Sequence, residues 1–339
     1  MFRIYVLPFL ALVCILPSCK QDFDLTARYE EVPIVYGLLN SGESTHYVRI
    51  QKGFLIDGNA YTAAAVNDSV YYTDSLLVQL KTLPGGPVYT LVKKLMPKED
   101  GTFSSSQHYV YTCNANLDAT KEYELRVLNT ANGREFSAKT RLVQDFTINV
   151  PIKAQTLPLR NTNAPAVNFY RAPNAGVYDV LVRFPYLEYD ATTNTLVKDT
   201  FIEYYLLRNF YLEYVPGALP VQAEFTANSL INALQNRLEK RSDRYREFNR
   251  AVGMTFKVSA GGSDFATYLS SKATQQTGIS SNEALPPYTN IRGGYGIFSS
   301  RYFKQVDSVL LTNAALDTLA CSPLSAGLRF RGSTQQICE

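Results

Sequence analysis

Tryptophan is absent from this 339-residue chain, and histidine (two), methionine (three) and cysteine (five) are scarce. Without tryptophan the usual ring for stacking sugars is missing. With only His46 and His108 as imidazoles, a histidine-based zinc site or a Ser-His-Asp triad is hard to assemble. Neither sign of charge is in excess: 33 basic residues against 30 acidic give +3, too little for a polyanion-binding surface, so nucleic acid is not an expected partner. Long apolar runs are also lacking beyond the first sixteen residues. The best, Tyr204 to Val215, is short and contains Arg208 and Glu213. No G-x-S-x-G elbow, H-E-x-x-H, paired C-x-x-C or calcium-loop spacing occurs, so neither an enzyme nor a metal or cofactor site is expected.

What remains is 46% hydrophobic and rich in tyrosine (24) and phenylalanine (18), enough to fill a substantial core and to exclude disorder as a description of the whole. The N-terminus reads as an export signal over residues 1–18: Arg3 followed by the uncharged run Ile4 to Leu16. Those thirteen residues would span roughly 20 Å as a helix, short of the roughly 30 Å of a bilayer core. Leu16-Pro17-Ser18-Cys19 resembles the bacterial lipobox, which makes Cys19 the expected lipidation site and residues 19–24 an acidic tether. Acyl chains insert at about 0.8 kcal/mol per buried methylene, so several on one cysteine anchor stably. Removing Arg3 with the signal leaves 32 basic residues against 30 acidic, so attachment to the membrane is expected through lipid and not through charge. Lys20-Gln21-Asp22-Phe23-Asp24 resembles the tag that sends Bacteroidota lipoproteins to the outer face of the outer membrane.

Period-two alternation dominates the body and predicts a mainly β fold. Ile34 to Leu39, His46 to Gln51, Leu76 to Thr82, Val88 to Lys93 and Tyr109 to Cys113 read as strands, with turns at Pro84-Gly85-Gly86 and Asp100-Gly101. Tyr123, Leu125 and Val127 share one face, Asn132-Gly133 supplies a turn, and Phe136 and Ala138 resume the alternation as a hairpin. Residues 25–145 are accordingly expected to form an immunoglobulin-like or fibronectin-like β-sandwich, and residues 146–339 a second β-rich domain. In the latter, Val177 to Phe184 and Phe201 to Tyr214 predict an extended hairpin joined by the polar stretch Asp190 to Asp199. Ile231, Leu234, Leu238, Arg241, Tyr245, Phe248 and Val252 alternate spacings of three and four, predicting one long amphipathic helix over about 229–252, capped by Asn228 and ended by Gly253. Its charged face, including Arg244, Arg246 and Glu247, reads as solvated.

Three candidates for function follow from residue type. Tyr204, Tyr205, Tyr211 and Tyr214, with Phe201 and Phe210, place rings along one strand, a possible aromatic recognition surface because tyrosine joins apolar area to a polar tip. Cys321 and Cys338 are candidates for a disulfide in an oxidising envelope, leaving Cys113 as a small apolar strand residue. Carboxylate pairs such as Glu188 with Asp190, or Glu203 with Glu213, are the only catalytic nominations available to a hydrolase. The glycines of Asn290-Ile291-Arg292-Gly293-Gly294-Tyr295-Gly296-Ile297-Phe298 read as a tightly turned strand, since no phosphate-loop lysine accompanies them.

Taken together, the lipobox, the opening strand after Glu30-Glu31-Val32-Pro33, the Tyr123-to-Thr140 hairpin and the late Pro286-Pro287 with the Asn290-to-Phe298 segment resemble a Bacteroidota lipoprotein family of unknown function. Its members commonly accompany TonB-dependent outer-membrane transporters, so the resemblance implies an outer-membrane β-barrel partner and a lipid-anchored, surface-exposed location. The expected function is non-enzymatic ligand capture or assembly at such a transporter. The alternatives are a structural or adhesive subunit of a surface secretion or gliding machine, and a carboxylate-dependent envelope hydrolase.

Overall fold

A computed structural model describes residues 32–53, 70–97, 107–276 and 288–338. Cys19, the signal peptide and the acidic tether lie outside the described residues, as do Asp100-Gly101 and Pro286-Pro287. The chain is mainly β, about 51% strand against 12% helix. The first strands are β1 (Val32–Leu39), β2 (Thr45–Gly53), β3 (Leu76–Leu83), β4 (Val88–Pro97), β5 (Gln107–Asn114), β6 (Glu122–Asn129) and β7 (Glu135–Arg141). There follow β8 (Ile148–Val150), β9 (Thr156–Leu157), β10 (Ala166–Phe169), β11 (Ala175–Asp190), β12 (Leu196–Tyr211) and β13 (Val221–Glu224). The remaining elements are α1 (Ala227–Gln235), β14 (Arg244–Phe248), β15 (Met254–Gly262), α2 (Ser263–Gln276), β16 (Tyr295–Leu311) and α3 (Asn313–Cys321).

One mixed sheet runs β12-β11-β15-β16-β1-β2-β5-β4-β3-β6-β7, with β14 added to β11 and β9 to β16; β13-β10-β8 form a small second sheet. The alternation read from the sequence explains the first part. Tyr123, Leu125 and Val127 of β6 and Phe136 and Ala138 of β7 point into one core with Val35, Ile50, Leu80 and Phe298. Their hairpin closes through a four-residue loop in which the Gly133 amide bonds the Asn129 carbonyl at 2.8 Å and Gly133 takes a positive φ of 71°. A second core gathers Tyr178, Val182 and Phe184 of β11, Phe256 of β15, Leu230 and Leu234 of α1, Leu319 of α3 and Phe330. Adjacent Leu142 and Val143 face different cores. Strand β16 serves both: Tyr295 to Ser300 lie parallel to β1, and Arg301 to Val309 antiparallel to β15.

The long helix expected over about 229–252 is corrected. Helix α1 ends at Gln235, and its cap is Thr226, whose Oγ1 accepts the Ser229 amide at 3.1 Å, while the Asn228 amide bonds Asn161 instead. Residues 244–248 form a strand against the far end of β11, pairing Glu188 with Arg246 and Asp190 with Arg244. Arg246, assigned to a solvated face, is buried: Nε meets Glu188 at 2.8 Å, and its other nitrogens bond the carbonyls of Leu328 and Glu239. The spacing of three and four was real but local. Long-range ion pairs and the single parallel bridge from Arg246 to Phe330 compete with a helix worth only tenths of a kcal/mol per residue, and they win. The connection between β11 and β12 is also tighter than Asp190 to Asp199. Pairing continues to Leu196, because the Asp190 carboxylate accepts the Thr192 and Thr193 amides and closes the turn.

Candidate binding surface

Strand β12 is a margin of the large sheet, paired along its length only with β11. Three register shifts interrupt that pairing, and Asn209, within the one between Phe210 and Leu207, takes φ 49° with its amide held at 2.7 Å by Asp179. Each shift advances β12 by an extra residue, so alternation holds from Lys198 to Tyr205 and is broken before Phe210 and Tyr211. Ile202 and Tyr204 enter the second core. Tyr204 is 6% exposed, against 45% for Tyr205, 43% for Tyr211 and 39% for Tyr214. Tyr204 therefore belongs to the core and not to the recognition surface expected of it. Burial pushes its phenol pKa up, an effect partly opposed by the Ser229 hydroxyl.

The exposed rings carry cations with them. The Arg183 guanidinium lies 4.2 Å from the centre of the Phe201 ring while bonding Glu203 at 2.7 Å, Arg208 lies 5.1 Å from Tyr205, and Lys257 Nζ lies 4.1 Å from Phe303. Such pairs contribute about 0.5–1 kcal/mol at exposed sites and hold flat rings upright on the sheet. Helix α2 covers only one end of this outer face, where Gly261 lacks the Cβ that would stand 2.7 Å from the Phe265 ring. Beside that helix is a cavity of about 270 Å³ lined by Phe265, Leu269 and Phe303 together with Lys257, Arg301 and Asp179. Apolar walls with a few charged groups suit a small ligand, though the volume is at the low end for one.

The other sequence candidates have structural partners. Glu188 and Asp190 are ion-paired to Arg246 and Arg244, and Glu203 to Arg183. His46 is buried and its Nε2 meets the Ala115 carbonyl at 2.9 Å. The glycines around residue 295 serve packing: Gly296 has φ 106°, and a Cβ there would fall 1.9 Å from the Val35 carbonyl oxygen. Asn290 acts as a strand substitute, accepting the Phe298 amide and donating to its carbonyl. Cys321 and Cys338 are bonded to each other, with Cα atoms 4.8 Å apart, and Cys113 is a half-buried free thiol whose pKa burial raises. Among the described residues no cluster of His, Cys, Asp or Glu is arranged to hold a metal, and no helix is long and apolar enough to cross a membrane.

No family model matches the chain, and no curated protein matches it.

Proposed function

We propose that this chain is a lipid-anchored, non-enzymatic accessory protein of the outer membrane, exposed at the cell surface, that works beside a β-barrel in ligand capture or assembly. A TonB-dependent transporter is the partner implied by the family resemblance. The observation that carries the reading is Leu16-Pro17-Ser18-Cys19 after a short apolar run. It is supported by the margin strand β12, which presents Phe201, Tyr205 and Tyr211 with cations interleaved, a composition suited to a protein interface. Part of the same proposal is an immunoglobulin-like arrangement of residues 25–145. In favour of it, the Tyr123 hydroxyl accepts the Asp118 amide at 2.8 Å, the corner contact characteristic of Greek-key sandwiches.

Replacing Cys19 by Ala is expected to release the protein from membranes and to abolish palmitate labelling. Retention of the variant in the membrane pellet after a high-salt wash would sink the anchor. Extraction in mild detergent should bring a barrel protein along with the wild type, and Phe201→Lys with Tyr205→Lys should lose it. A structural subunit of a surface machine is the second reading, favoured by the length of the unpaired β12 margin, which offers backbone donors and acceptors to a neighbouring strand. Co-purification of a non-barrel protein in fixed ratio would favour that reading over the first.

A further inference from the structure

The outer face of the sheet over the second core is laid out in rows. Gly261 of β15 pairs with Val177 of β11 on one side and Arg301 of β16 on the other, and Ser259 pairs with Asp179 and Phe303. Residues opposite one another in a sheet, and residues two apart along a strand, point the same way, so these six share one face and Lys257 follows them along β15. Val258 and Ala260, which point the other way, belong to the core. Ser259 and Gly261 are small, so the middle strand is recessed between larger neighbours. Phe265 and Leu269, one turn apart on α2, stand beside this recess, and together these groups line the cavity of about 270 Å³.

The side chains around this cavity do not cancel in charge. Its charged residues are Lys257, Arg301 and Asp179, two cations against one carboxylate. Asp179 already accepts the Asn209 amide at 2.7 Å. The Arg301 side chain is exposed and makes no hydrogen bond or ion pair among the described residues, while the Lys257 ammonium meets only the Phe303 ring, 4.1 Å from its centre. Nearby acids on the same sheet are engaged elsewhere: Glu203 with Arg183, and Asp307 with the Thr255 hydroxyl and the Gln305 amide. One net positive charge is therefore left at the cavity, and side chains carry it.

Charge and surface together select the ligand class. One uncompensated positive charge matches an anion of single charge, and Val177, Phe265, Leu269 and Phe303 offer it an apolar body to rest against. The volume, at the low end for a small-molecule site, suits one ring and not several. We propose that this cavity binds a small aromatic monocarboxylate, its ring against Phe265, Leu269 and Phe303 and its carboxylate on the Arg301 guanidinium, with Lys257 as the second cation. A planar carboxylate matches the forked guanidinium in a way that a lone ammonium does not. The site requires only the fold and goes beyond the accessory role proposed above, so the two fail separately: release of Cys19→Ala from membranes reports on one, ring binding on the other.

The test is equilibrium dialysis of the full chain in detergent against labelled benzoate at constant ionic strength, with protein-free micelles subtracted. Acetate, which keeps the charge without the ring, and benzyl alcohol, which keeps the ring without the charge, serve as competitors. Benzoate should bind saturably at one site per chain, and either competitor should displace it at least about tenfold more weakly than unlabelled benzoate does, since each lacks one of the two contacts. Arg301→Gln should raise the benzoate Kd by about tenfold, the loss of one charge-assisted contact. Ser259→Leu, which fills the recess in the middle strand, should abolish binding. Absence of saturable binding, a Kd unchanged in Arg301→Gln, or displacement by acetate or benzyl alcohol as effective as that by benzoate each overturns the proposal. Arg301→Gln decides the matter alone should Ser259→Leu fail to fold, because the exposed Arg301 side chain holds nothing else in place among the described residues.

Discussion

Arg246 shows how much a single side chain can hold. Its guanidinium is 3% exposed, pairs with Glu188 at 14%, and hydrogen-bonds two carbonyls from separate segments. The Arg246 backbone joins in, its amide bonding the Arg329 carbonyl and its carbonyl the Arg331 amide. Nearby, Tyr189 stacks on Tyr245 and the Arg331 guanidinium covers the second ring at 3.6 Å, so β11, β14 and the C-terminal tail interlock through charged and aromatic groups. Breaking a buried pair strands the remaining charge. Arg246→Ala is expected to lower stability by about 3–4 kcal/mol in a urea titration, and Arg246→Met with Glu188→Leu to restore most of it. Equal stability of Arg246→Ala and wild type would mean that Glu188 finds water instead. None of this was legible beforehand, since Arg246 and Glu188 are 58 positions apart in the chain.

At the scale of elements, glycine positions decide where strands can meet. Strand β16 lies parallel to β1 because Gly296 leaves room for the Val35 carbonyl and adopts a φ that other residues avoid. Gly296→Ala combines backbone strain with a backbone clash, each a recognised source of large losses, and is expected to destabilise by more than about 3 kcal/mol or to prevent folding. Chemical denaturation of Gly296→Ala beside Gly133→Ala checks this. A Cβ at Gly133 meets nothing within 4 Å, so the second change strains only the turn and should cost about 1 kcal/mol. The Gly-rich run was legible as a tight strand from composition alone; its parallel partner was not, since nothing local specifies a neighbour 260 residues away.

Across the whole molecule, the C-terminal tail is fastened twice. The disulfide between Cys321 and Cys338 closes a separation of 17 residues, which on loop entropy contributes about 3 kcal/mol. On helix α3, four residues before the loop begins, the Asp317 carboxylate accepts the Ser333 amide, the Gln336 side chain and the Ser333 hydroxyl, and these bonds, the Ser333 amide first, hold its pKa below the ordinary carboxylate value. A depressed folded pKa gives stabilisation that is complete above the unfolded value near 3.9 and fades as pH falls through the folded one. Reduction alone at neutral pH, or acid alone with the disulfide intact, should therefore leave the tail in place. The two together should release the tail beyond Arg331, seen as rapid hydrogen exchange over residues 332–338. Release by reduction at neutral pH would show that the Asp317 contacts hold nothing.

The sequence by itself determined the β character, the paired strands of the first core and the hairpins, because alternation and turn residues act over a few positions where the physics is local. The same locality misled at residues 229–252, where a helical spacing lost to ion pairs made with β11, and residue type misled at Tyr204, which alternation places beside Ile202 in the second core. Only the tertiary structure decided that β16 would serve both cores and that Arg246 would be buried against Glu188. Each depends on residues brought together from distant parts of the chain, and the free energy of such meetings belongs to packing and desolvation, which no short stretch of chain contains.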